Sequence, residues 1–117
     1  MTAIDIPEYV TRAKSLTDLA LIAADLLGHA ADSSLPAPNG VRLSHGGQDV
    51  SLCFPGHRDT FRALAQWAER FGGTVTGCPH THNDRPPSVH CQVKFTADGV
   101  NVEAYAFITA AKAEQAT

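Results

Sequence analysis

Cys78, His80, His82 and His90 are the residues of this chain whose types and spacing best suit chemistry. They lie in Cys78-Pro79-His80-Thr81-His82-Asn83-Asp84 and the His90-Cys91 pair that follows. Three of the six histidines and two of the three cysteines thus fall within fourteen residues. Thiolate and imidazole are the preferred donors for tetrahedral zinc. Residues two apart on a strand share a face, so His80 and His82 can act together, and a histidine on the next strand adds a donor. The spacing lacks the paired Cys-x2-4-Cys or His-x3-5-His elements of a zinc finger. Two readings therefore stand side by side: a zinc site built on Cys78, His80, His82 and His90, or a hydrated polar hairpin end with no cofactor.

Nucleophilic chemistry has less to build on. Cys53 and His57 flank the expected start of a helix, where the dipole lowers a thiol pKa. No orienting carboxylate or oxyanion loop accompanies them, and no catalytic residue is assigned. His45-Gly46-Gly47 has no nucleophile elbow to serve, and a hairpin turn accounts for its glycines. There is no P-loop and no GxGxxG. Arg58 and Arg62 are four apart and can contact an anion, although Asp59 and Glu69 dilute the charge.

These residues are positioned by what reads as a three-strand meander. Asp98-Gly99 is a two-residue hairpin signal. It pairs Ala97 with Val100, Phe95 with Val102, Val93 with Ala104, Cys91 with Ala106 and Val89 with Ile108, all small or apolar. The opposite face pairs Thr96 with Asn101, Lys94 with Glu103, Gln92 with Tyr105 and His90 with Phe107. A five-residue connection, 83–87, then sets His82 opposite Ser88, His80 opposite His90 and Cys78 opposite Gln92. Cys91 faces the core, which sets it apart from Cys78.

Upstream, Val41 to Phe54 reads as a hairpin turning at Gly46-Gly47, with Leu43 opposite Val50 and Val41 opposite Leu52. A helix is expected from Pro7 to about Ala31, with a second start signal at Ser15-Leu16-Thr17-Asp18 and a break near Lys14. Its stripe runs Val10, Ala13, Leu16, Ala20, Ala23, Leu27 and Ala30, widened by Leu19, Ile22 and Leu26. A second helix is expected from about His57 to Phe71, burying Phe61, Leu64, Ala65, Ala68 and Phe71, with Trp67 at the margin.

The expected fold is α+β: residues 1–117 form a single domain, with 1–6 and 110–117 as flexible ends. One mostly antiparallel five-stranded sheet, in element order α-ββ-α-βββ, has both helices on one face. The other face carries Gln92, Lys94, Glu103, Tyr105 and Phe107, and those aromatics mark it as an interface. The net charge of −3 argues against a general nucleic-acid binder. An odd number of cysteines fits free thiols in a reducing compartment, and neither a signal peptide nor a membrane-length apolar run is read, so a cytoplasmic place is expected. The expectation is a binding or regulatory module, homodimeric, that holds a protein partner or small ligand on the polar sheet face. A metal-binding protein or metal-dependent enzyme, and a nucleic-acid-associated regulator using Arg58 and Arg62, are the alternatives.

Overall fold

The computed structural model describes residues 14–80 and 87–109, except for the side chains of Cys78 and His80. The expected flexible ends, the Pro7 to Ala13 part of the first helix and His82 all lie outside the described residues. Helix α1, Leu16–Asp32, starts where the second start signal stood. The Ser15 hydroxyl accepts from Asp18 N and the Asp18 carboxylate accepts from Ser15 N, each at 3.1 Å, so two otherwise unpaired donors are satisfied at once. The buried stripe is Leu19, Ile22, Ala23, Leu26 and Ala30. Leu16 and Ala20 are exposed, so the stripe is rotated from the expected one toward the residues that had only widened it.

Strands β1, Gly40–Ser44, and β2, Asp49–Cys53, pair antiparallel with Leu43 opposite Val50 and Val41 opposite Leu52, the expected register. The turn differs in detail. The left-handed residue is Gln48, at φ 54°, and neither Gly46 nor Gly47 has positive φ. Gln48 also ties the hairpin to the entry of α1. Its amide nitrogen donates to Lys14 O at 2.9 Å and its amide oxygen accepts from Lys14 N at 2.6 Å.

Helix α2, Thr60–Phe71, begins three residues later than expected and is preceded by Asp59. Trp67 is fully buried at the centre of its inner face, with Ala63 and Leu64, whereas Ala65 is exposed. The indole nitrogen donates to Pro36 O at 2.8 Å, which supplies the partner a buried indole requires. Rings continue on both sides: Phe54 meets Trp67 edge-on at 5.6 Å, Phe71 lies 5.1 Å from Trp67, and Phe71 stacks on Phe95 at 5.3 Å.

Strands β3, Thr76–His80, β4, Ser88–Ala97, and β5, Val100–Thr109, complete the sheet. The β4–β5 register is the expected one at every pair from Ala97–Val100 to Val89–Ile108. The sheet order is β1-β2-β5-β4-β3. All pairings are antiparallel except β2 with β5, which run parallel. The ring series from Phe54 to Phe95 therefore runs from β2 to β4 over β5, whose inward side chains there, Ala104 and Ala106, are small enough to leave room.

Two glycines hold the sheet together where a side chain would not fit. Gly56 follows β2, and a Cβ there would collide with the Phe107 carbonyl oxygen of β5. Gly73, after α2, has φ 98°, and a Cβ there would stand 2.6 Å from Lys94 O. Both helices contact strands from the same side of the sheet, α1 over β1 and β2 and α2 over β4 and β5. Val50, Leu52, Phe54, Cys91, Val93, Val100, Val102, Ala104, Ala106 and Ile108 form the core beneath them.

Candidate functional site on the open sheet face

The opposite face of the sheet has no helix on it among the described residues. Period-two alternation puts every second residue there, and the registers arrange them in cross-strand rows. One row is Ser44, Asp49, Asn101 and Thr96, and the next is Arg42, Ser51, Glu103 and Lys94. Then come Gly40, Cys53, Tyr105, Gln92 and Thr76. The last two are Phe107, His90 and Cys78, then Thr109, Ser88 and His80. The five expected interface residues, Gln92, Lys94, Glu103, Tyr105 and Phe107, all belong to this face.

The face has two unlike ends. At one, His90 stacks on Phe107 with ring centroids 4.7 Å apart and planes 22° apart. Tyr105 meets both edge-on, at 5.7 Å from His90 and 6.2 Å from Phe107. Phe107 keeps 48% of its surface exposed. His90 Nε2 lies 3.5 Å from Glu103 Oε1, so the carboxylate leans along the sheet toward the rings and away from the facing Lys94. Partial burial, then a hydrogen bond with the Cys53 thiol, push the Tyr105 hydroxyl above the ordinary tyrosine pKa. The Arg42 charge works against that shift and the Glu103 charge adds to it.

At the other end lies an open trough of about 660 Å³. Arg42 and Ser44 line its β1 side, Lys94 and Thr96 its β4 side, and Asp49, Ser51, Asn101 and Glu103 its floor. Among the described residues none of Arg42, Lys94 or Asp49 has an ion-pair partner.

The expected ligand cluster is rearranged. β3 pairs with β4 two residues out of the expected register: Cys78 stands opposite His90 and His80 opposite Ser88, in place of Gln92 and His90. A shift of two preserves the face, so Cys78, His80 and His90 still occupy outward positions on adjacent strands. Cys91 is fully buried, and that burial raises its thiol pKa. His57 lies in a turn before α2, and Arg58 precedes the helix, so Arg58 and Arg62 are not one helical turn apart. Arg70 is engaged by Phe71, with its guanidinium carbon 5.2 Å from the ring centroid, and by Ser33.

Gln48 was missed by the reading of the sequence, since a polar residue next to a Gly pair looks like turn filler. The trough was missed because it needs β2 beside β5, and no local pattern encodes that parallel pairing. No family model, no curated protein and no solved structure matches this chain. No helix among the described residues is long and apolar enough to cross a membrane.

Proposed function

We propose that this chain is a binding module whose open sheet face is its recognition surface, and that a second copy of the chain packs on the aromatic end to form a homodimer. The observation that supports this is the half-exposed Phe107 stacked on His90 beside Tyr105, on a face that carries no helix among the described residues. The three rows at this end contain no Lys, Arg, Asp or Glu of their own, and the Glu103 carboxylate that reaches them from the next row lies against His90. With a net charge of −3 on each chain, two copies meet there with the least repulsion. Strand spacing and rise give about 33 Å² of sheet plane per outward residue, hence about 350 Å² per protomer, and more once the raised rings are counted. Over both protomers that is about 700 Å², below the roughly 1,000 Å² that a stable interface clears, so the dimer is weak and concentration-dependent. Light scattering across a concentration series tests it. Tyr105→Arg should give a folded monomer, and a wild-type protein that is monomeric at high concentration would sink the reading.

A zinc site is the second reading, favoured by the register that sets Cys78 directly across from His90 with His80 two residues on. Metal analysis of tag-free protein decides it. Near-stoichiometric zinc that falls in His90→Ala supports the site, and metal-free protein of unchanged stability rules it out.

A further inference from the structure

We infer that the trough at the charged end of the open face binds a small zwitterion, an amino acid or short peptide carrying both an ammonium and a carboxylate. The inference rests on the reading of this face as a recognition surface, but not on the dimer.

The arrangement of charge carries it. Across one row the sheet presents Arg42, Ser51, Glu103 and Lys94, and the adjacent row adds Asp49 and Asn101 at the centre. Cations therefore stand at the two sides and carboxylates on the floor between them. Three strand spacings put the Arg42 and Lys94 backbones about 14 Å apart, within reach of one small molecule once both long side chains lean inward. Asp49 and Glu103 are diagonal neighbours on β2 and β5, and an ammonium beside Asp49 is shared by both once it draws the Glu103 carboxylate back from His90. Arg42 then takes a carboxylate in bidentate fashion, or Lys94 takes it as a point charge. Ser44, Ser51, Thr96 and Asn101 supply neutral donors and acceptors around both groups.

A simple anion gains from Arg42 and Lys94 but is opposed by Asp49 and Glu103. A simple cation meets the reverse. Only a molecule with both charges satisfies the set. The trough's size, about 660 Å³, lies within the range of small-molecule sites and accommodates a free amino acid or a short peptide.

The test is calorimetric titration of the whole chain with glycine and diglycine, beside acetate and ethylammonium as single-charge controls. Glycine or diglycine should bind at millimolar concentration, and each control about tenfold more weakly or not at all. Arg42→Gln and Glu103→Gln should each weaken zwitterion binding about tenfold with the circular dichroism unchanged. Folded Phe107→Arg protein should bind as the wild type does, which separates this site from the dimer. Absence of binding by both zwitterions, equal binding of the controls, indifference to both trough substitutions, or loss of binding in folded Phe107→Arg would each overturn it.

Discussion

Single residues set both the limits and the chemistry of this protein. Ser15 and Asp18 close the start of α1 reciprocally, and Ser15→Ala should cost about 1 kcal/mol, read from chemical denaturation. The hydrogen bonds from Ser15 to Asp18 lower the Asp18 pKa. Its contribution is present above the ordinary aspartate range and is lost as pH falls through the lowered value, so wild type and Asp18→Ala should draw together in stability under acid, whereas the Ser15→Ala deficit, which lies in the bond from Asp18 N to the hydroxyl, should largely persist. Cys91 has the opposite sign. Burial raises its pKa, so the folded state keeps the thiol neutral where the unfolded chain ionises. Its contribution is present below the ordinary thiol value and fades as pH rises toward the raised one. With Cys53 and Cys78 changed to Ser, Cys91 should resist thiol reagents until denaturant is added, and rapid labelling in the native state would contradict its place in the core.

At the scale of elements, the two hairpins show what local sequence can and cannot specify. Asp98 and Gly99 both have positive φ, 50° and 78°, and the β4–β5 register follows from that turn. The β1–β2 register was legible as well, although the turn works through Gln48 instead of the glycines, because the apolar pairing of Leu43 with Val50 selects the same alignment. The β3–β4 register was not legible. A slip of two residues leaves every side chain on its own face, so the hydrophobic pattern cannot detect it. Periodicity also misplaced the centre of each helix. Spacing alone sets Trp67 at a margin, yet the indole is fully buried between Phe54 and Phe71 with its nitrogen bonded to Pro36 O, partners that no local spacing encodes. Trp67→Ala should cost about 3–5 kcal/mol, for the lost ring contacts and the cavity left behind. Gly56→Ala forces the chain after β2 away from the Phe107 carbonyl, and should destabilise by about 1–3 kcal/mol in the same assay.

For the whole molecule, the parallel pairing of β2 with β5 is the feature that joins the candidate sites. It places residues about fifty positions apart in sequence side by side, such as Ser51 beside Glu103 and Cys53 beside Tyr105. Composition and periodicity carried the class of fold, the element order and the apolar face, because each follows from short-range pattern. The trough required the strand order, which arises only when helices and strands pack together. Among the described residues the helices cover one side of the sheet only, which leaves the aromatic rows of β4 and β5 for a partner, and the scarcity of charged residues in those rows favours a second copy. Sedimentation equilibrium of the wild type and Phe107→Arg measures this most directly. The expected result is a reversible monomer–dimer equilibrium in the wild type and a folded monomer in Phe107→Arg. A wild type that stays monomeric at every concentration, or a dimer indifferent to Phe107→Arg, would contradict it.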